Sequence, residues 1–412
     1  MDQGTDRIAR VRGFLSAAEA ATELAVSLPT LYAYVSRGLI RSEAETGSRR
    51  RRYAAEDVWM LKERRQNRRD PAKTARDALH WGLPVLESRL SVIHAGRLYY
   101  RGKDVIDLAR DHRIEQVASL LWSGDLEAPF PDDVLTPSAR DWKDVSRLAA
   151  ALPPLDALQL FLPLACACDA FAFDLREAAV QRAGARILRL LAAAAVGERP
   201  ARLPVAEVLQ RHWAPRLPDV VPLIDAALVL YADNGLNPSS FTARCVASAG
   251  SPPYAVVSAG LAALQGTKHG GACERAEGLL REAGDARGAK AAVAARLRRG
   301  ESIPGFGHPL YPAGDPRAGF LLDLIRQRRT PRPEVDVAFA LAEAVREAMG
   351  EHPTVDFGVV TLCRALGLPG GAALSMLGVG RVVGWIAHGL EQYREGREIR
   401  PRARYAGDLP PA

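Results

Sequence analysis

The sequence predicts a mainly α-helical protein: a small N-terminal unit followed by a much larger helical body. Three observations carry this. Beyond residue 80, apolar residues recur every three to four positions, in runs punctuated by Pro and Gly. Alanine-rich stretches such as LLAAAAVGE favour helix because alanine loses no side-chain entropy there, and aromatics make up only 6% of the chain. Strand-like patterning is confined, in the body, to ESRLSVIHAGRLYYRG. At 412 residues the chain is long enough for a large core and for two or three folding units.

The first seventy residues read as two short helices, a hairpin and a third helix. Ser16 caps the first helix and Glu19 completes a capping box, with Ala20, Ala21 and Leu24 inward and a stop near Ala25. Ser27 caps the second, Pro29 sits in its first turn, and Leu31, Tyr34 and Val35 give its apolar spacing up to Gly38. Two strands around a Thr-Gly turn follow, then a helix opened by AEDV. Of the net charge of +7, residues 1–69 supply 14 basic against 9 acidic side chains, a surplus of 14 − 9 = 5. This segment resembles the winged helix-turn-helix of MerR type, through EAATELAVSLPTLYAYVSRGLI and the basic RRRRY. The resemblance implies DNA as a partner, with the second helix in a major groove and the wing on phosphates. The candidate contacts are Thr30, Tyr32, Ser36, Arg37, Arg49, Arg50, Arg51 and Arg52; a solvated arginine loop on a docking or dimerisation element is the alternative. The domain is expected over residues 1–70, with a charged, Pro71-containing linker over 71–79.

Several classes drop out. The apolar runs are expected to break before the roughly 18–20 residues of a membrane span, and no signal segment is expected at MDQGTDRIARVRG. A soluble, cytoplasmic protein with no membrane partner follows as the expectation. Cys166, Cys168, Cys245, Cys273 and Cys363 lack redox or zinc spacing and read as buried small hydrophobes, so no metal site is expected. GVGRVVG lies inside a helical pattern without a preceding strand, which excludes a dinucleotide fingerprint. In that helix Met376, Val379, Val383, Ile386 and Leu390 mark one apolar face.

Three polar clusters stand out in the body. LQGTKHGGACERA ends a helix near Gly266, presents His269 on a glycine turn and opens a new helix after Gly271. GFGHPLYPAGDPR holds His308 in a rigid frame of prolines and glycines, with Arg317 nine residues on. HPTVDFGVV sets Asp356 between Val355 and Phe357, an apolar context that suits a base. Singly, each also reads as a satisfied core histidine or a helix cap.

From about residue 80 to 412 the chain resembles citrate synthase, through LYYRGKDVIDLA, EQVASLLWSGDL, ADNGLNPSSFTARCVAS, LQGTKHGGACE, IPGFGHPLYPAGDPRA, TVDFGVV, GRVVGWIAHGLEQ and IRPRARYAG. The resemblance implies a helical homodimer, with a large domain over about 80–255 and 365–412 and a small mobile domain over about 256–364. It implies condensation of acetyl-CoA with oxaloacetate and hydrolysis of citryl-CoA, with acetyl-CoA as substrate and no tightly bound cofactor. Asp356 would take a methyl proton, His269 would bond the thioester oxygen, and His308 would serve the ketone oxygen. Asn234, Arg317, Arg381 and Arg400 would hold the oxo acid, Arg400 by reaching a neighbouring subunit's site. Gly266, Gly305, Phe306 and Gly307 would meet CoA. The chain departs from the family at Asn234, where a histidine is usual, and at Pro309 and Pro312, where basic residues often serve CoA phosphates. These changes point to an altered acyl or oxo acid preference, as in 2-methylcitrate synthase, or to reduced activity. A DNA-binding regulator whose body senses a metabolite is the competing reading.

Overall fold

The computed structural model describes residues 14–44, 51–55, 57–59, 61–62, 86–328, 332–403 and 405–408. Arg49, Arg50 and the expected linker 71–79 lie outside them. Two compact units result, Met1–Glu87 and Ser88–Ala412.

The N-terminal unit contains β1 (Phe14–Leu15), α1 (Ala17–Leu24), α2 (Leu28–Ser36), β2 (Ser42–Ala44) and β3 (Arg51–Ala54). Its antiparallel sheet runs in the order β1-β3-β2, with Leu15 opposite Tyr53 and Glu43 opposite Arg52. The Ser16–Glu19 capping box forms, and Ala25 ends α1 in the left-handed region at φ 49°. Strand β1 was not expected: two residues carry no periodicity, and only their pairing with β3 defines them. Leu15, Leu24, Leu31, Ile40, Tyr53 and Val58 form a separate small core. Asp57 closes the unit by accepting from the Arg41 backbone at 2.7 Å and from its guanidinium at 2.8 and 2.9 Å, which holds this carboxyl below its ordinary range.

The body opens on β4 (Ser91–His94), β5 (Arg97–Tyr100) and β6 (Lys103–Asp104), an antiparallel sheet in sequential order. Helices follow: α3 (Val105–Asp111), α4 (Ile114–Ser123), α5 (Ala139–Ala149), α6 (Pro154–Cys168), α7 (Glu177–Ala195), α8 (Val205–Trp213), α9 (Val221–Tyr231), α10 (Pro238–Ser248) and α11 (Pro253–Leu264). The chain continues through α12 (Ala272–Ala283), α13 (Ala289–Arg298), α14 (Pro316–Arg328), α15 (Pro333–Met349), α16 (Val355–Leu366) and α17 (Ala372–Glu395).

Helix α17 is the axis of this body, and it extends one expectation and corrects another. The expected apolar stripe of Met376, Val379, Val383, Ile386 and Leu390 is buried, but the burial is not confined to it: Arg381, His388 and Gln392 are buried as well. Helices α4, α6, α7, α9, α10 and α11 all pack against it, so residues 372–390 are buried on every side. It is also long and apolar enough to cross a membrane, but its apolar window is wholly buried within the body. Gly384 allows one close approach, since a Cβ there would lie 2.4 Å from the Ala232 carbonyl oxygen. The cysteine expectation is corrected as well. Cys273 and Cys363 are buried, but Cys166 and Cys245 are half-buried and Cys168, at the end of α6, is exposed.

Candidate active site

The site is assembled from segments far apart in sequence. Residues 305–307 run alongside 352–354: Thr354 donates its backbone N–H to the Gly305 carbonyl at 2.9 Å, and Gly307 donates to the His352 carbonyl at 3.0 Å. This pairing ties the His308 loop to the start of α16, where Asp356 lies in the first turn. It needs glycine at 305: φ is +84°, and a Cβ would press on Phe357 at 3.1 Å. Phe306 is buried with its ring 4.6 Å from that of Phe357, so its side chain is committed to the core, and the Gly307 N–H is already taken.

Asp315 is a second tie, which sequence reading missed. Its Oδ1 accepts from the Arg317 backbone at 3.1 Å and from Nε at 3.0 Å; its Oδ2 accepts from an Arg317 terminal nitrogen at 2.9 Å and from the Val355 backbone at 3.0 Å. One buried carboxylate therefore orients Arg317 and anchors the helix that carries Asp356. Burial disfavours the Arg317 charge, but Asp315 outweighs it and raises the pKa. The Tyr311 ring lies 5.1 Å below the guanidinium.

His308 accepts the Leu310 N–H on Nδ1 at 3.1 Å, so its neutral form carries the proton on Nε2. Burial, aided by Arg317, lowers its pKa against the pull of Asp315 and Asp356. His269 sits between α11 and α12 with Nε2 3.0 Å from the Ser239 hydroxyl. Burial, aided by Arg381, pushes its pKa down to about 4, so it is a neutral imidazole at neutral pH. Ser239 in turn donates to Asn237 Oδ1 at 2.7 Å and accepts the Trp385 indole N–H at 3.2 Å.

Arg381, on α17, is 5% exposed, and its Nε and one terminal nitrogen have no partner; one terminal nitrogen of Arg317, 1% exposed, is also unpartnered. Burial lowers the Arg381 pKa and the Arg317 charge adds to it, while Asp233, Tyr100 and Asp356 act in the opposite sense. Asp233 is itself held by the Ser91 hydroxyl and by His388 Nε2 at 3.3 Å; burial opposes its charge, but His388, Arg381 and Ser91 together depress its pKa. Asn234 is half-buried with Oδ1 unpartnered. Asp356 Oδ1 accepts from the Tyr231 hydroxyl at 3.2 Å and from the Cys273 thiol at 3.4 Å. Charge interactions thus link His308 with Arg317 and Asp356, Arg381 with both of those, and His269 with Arg381. Arg400 is exposed, and Gly266 follows the end of α11.

A sequence model of the citrate synthase C-terminal domain matches residues 78–402. The chain belongs to the citrate synthase family. It is an acyltransferase of the class that converts acyl groups into alkyl groups on transfer (EC 2.3.3), a family that uses acyl-CoA substrates. It is 34% identical to the citrate synthase of Haloferax volcanii over 358 residues, covering 79% of this chain and 94% of that one. It is 31% identical to a 2-methylcitrate synthase of Mycobacterium tuberculosis over 335 residues, 75% and 84% of the two chains. The citrate synthase of Thermotoga maritima superposes with a TM-score of 0.66 at 28% identity, over 80% of this chain and 96% of that one.

In the N-terminal unit Tyr32, Ser36, Ser42, Arg51 and Arg52 line one groove. Tyr32 and Arg37 are exposed, while the Thr30 hydroxyl is engaged with Ser27 at 2.9 Å. Of the wing arginines, the two described ones both make contacts within the unit. Arg51 donates to Ser42, and Arg52 pairs with Glu43 at 2.7 Å and lies over the Phe14 ring.

Proposed function

We propose that this enzyme condenses acetyl-CoA with oxaloacetate and hydrolyses the resulting citryl-CoA to citrate and CoA. The observation that carries the proposal is the set of buried, unpartnered guanidinium atoms on Arg317 and Arg381, beside an imidazole pair and a carboxylate. Two buried like charges with free N–H groups call for an anionic ligand, and a planar fork matches a carboxylate. Arg317 and Arg381 bind the oxo acid carboxylates, and Asn234 turns its amide N–H to the acid, which offers only acceptors.

Asp356 removes the methyl proton, and the electron pair passes to the thioester oxygen as the enolate. His269, kept neutral by burial, donates an N–H to that oxygen. For Nδ1 to be the donor, Ser239 turns its proton to Nε2; Asn237 Oδ1 then keeps the backbone N–H bonds of Ser239 and Ser240. His308, with its proton on Nε2, polarises the ketone and protonates it as the carbon–carbon bond forms. Gly266, which is exposed, lets CoA approach the backbone, whereas Gly305 is packed against Phe357. The enzyme acts as a homodimer that borrows Arg400 from a second copy. We place the domains at 1–70 and 80–412, with the small mobile domain at 256–364, in a cytoplasmic protein.

Pro309 and Pro312 favour a second acyl choice, propionyl-CoA, because a site with fewer phosphate contacts draws more of its binding from the acyl end. The N-terminal unit, in this reading, is a winged helix-turn-helix that presents Tyr32 and Arg37 to DNA; the exposed positions of both side chains support it. Free-thiol release over a panel of acyl-CoAs and 2-oxo acids tests the chemistry. The reading falls if no pair releases CoA faster than the Asp356→Ala variant.

A further inference from the structure

Three groups from three helices meet at one oxygen of the proposed base. Tyr231 closes α9, Cys273 opens α12 and Asp356 opens α16. The Tyr231 oxygen lies 3.2 Å and the Cys273 sulfur 3.4 Å from Asp356 Oδ1, and they lie 3.5 Å from each other. Both side chains are buried, Tyr231 fully and Cys273 at 1% exposure. Each has a single proton, and within this triangle those protons reach only Oδ1 or the neighbouring heteroatom. Oδ2 takes no hydrogen bond among the described residues.

We infer that Tyr231 and Cys273 are positioning residues for this reaction: they form a buried two-donor cradle that fixes Asp356 by Oδ1 and leaves Oδ2 as the proton-accepting oxygen. The inference rests on the reading of Asp356 as the base. When the methyl C–H bond breaks, the proton forms an O–H bond on Oδ2, the electron pair moves into the enolate, and the two donors stay on Oδ1 throughout. They need no proton of their own to move. Burial and the nearby Asp356 carboxylate raise both pKa values well above the ordinary phenol and thiol values, so both groups remain protonated donors. A hydrogen bond to a charged acceptor favours the carboxylate, so removing a donor should weaken the charged form of the base as well as loosen its direction.

The test uses the full chain with Tyr231→Phe, Cys273→Ala and Cys273→Ser. Tyr231→Phe should lower kcat about tenfold with both KM values within about twofold of the parent. It should also move the acid limb of the kcat–pH profile up by about half to one unit. Cys273→Ala should act in the same direction and more weakly, and Cys273→Ser, which restores an O–H donor, should recover the parent profile. Unchanged kcat and acid limb in both Tyr231→Phe and Cys273→Ala overturn the cradle. If thermal melts show that Tyr231→Phe does not fold, the Cys273 pair decides. If the parent releases thiol from no substrate pair, the condensation reading falls by itself. The cradle is then read by carboxyl-carbon NMR of aspartate-labelled protein, with the Asp356 signal assigned by its loss in Asp356→Asn. An Asp356 signal that titrates at the same pH in the parent and in the donor-deleted variants overturns it.

Discussion

Replacing Asp315 with alanine should destabilise the body and disable the site together. The carboxylate accepts four hydrogen bonds, three from Arg317 and one from the Val355 backbone, and lies almost fully inside the protein. Its loss leaves the Arg317 charge buried without its counter-ion, a change that costs about 3–5 kcal/mol. The body spans Ser88–Ala412, which is 412 − 87 = 325 residues. At roughly 2.1 cal/mol/K per residue its unfolding entropy is about 0.7 kcal/mol/K, so the melting temperature should fall by about 4–7 °C. Differential scanning calorimetry of parent and variant reads this directly. Asp315→Asn keeps two acceptor lone pairs without the charge and should fall between them. A variant Tm within about one degree of the parent would refute the claim that Asp315 is Arg317's counter-ion.

Three further outcomes follow from the charges. His269 has a folded-state pKa of about 4, below the ordinary histidine value, so the unfolded chain binds the extra proton first. Stability is therefore full above pH ~6.5 and declines as pH falls toward 4, by at most about 3 kcal/mol for this group. His308, also depressed, adds to the same slope. Urea midpoints between these pH values should decline less in a His269→Asn variant, and equal slopes would contradict the assignment. If the N-terminal unit contacts DNA, Arg37→Ala should reduce the salt slope of binding to a random duplex by about one, as one phosphate contact is lost. Fluorescence anisotropy over a salt series measures it, and an unchanged slope removes Arg37 from the contact. Arg52→Ala, which breaks the pair with Glu43, should instead lower stability slightly, by about 1 kcal/mol or less.

What was legible in the sequence was local. The Ser16 capping box spans four residues; Gly305 and Gly307 before His308 take positive φ, and Gly270 after His269 leaves room that a Cβ, 2.3 Å from the Leu264 carbonyl oxygen, would not. Strands β4 and β5 of the body and its long helices followed from pattern, while β6 lies beyond the stretch read as strands. The partners of the site residues did not. Ser239 serves His269 from 30 positions away, Tyr231 serves Asp356 from 125, and His388 serves Asp233 from 155. None of these types is unusual for a helix, and each matters only because α9, α10, α12 and α17 pack where they do. Helix α17 shows the same limit: its apolar stripe is real, but period cannot reveal that neighbours also cover the other side. Asp315, two residues from Arg317, was the one partner within local reach, and the Asp-Pro-Arg order at a helix start was its signal.

The charge count of the site bears on the dimer. Within one chain Arg317 is already paired with Asp315, and Asp233 with His388, which leaves Arg381 as the site guanidinium with no carboxylate partner among the described residues. A dicarboxylic oxo acid adds two further negative charges, so burying it calls for at least one more cation. Arg400 is exposed on its own chain, and the proposed function has it complete a neighbour's site. The proposal makes a sharp prediction through two variants that should each be nearly inactive as homodimers, Arg381→Gln and Arg400→Ala. Mixed under exchange, half the dimers become hybrid, and each hybrid has one site with both arginines intact. About a quarter of all sites, and of the parent activity, should return. Arginine borrowed across the interface can complement in this way, while arginine acting within its own chain cannot. A mixture that stays as inactive as its components, with hybrids demonstrated by a tag on one variant, refutes the shared site.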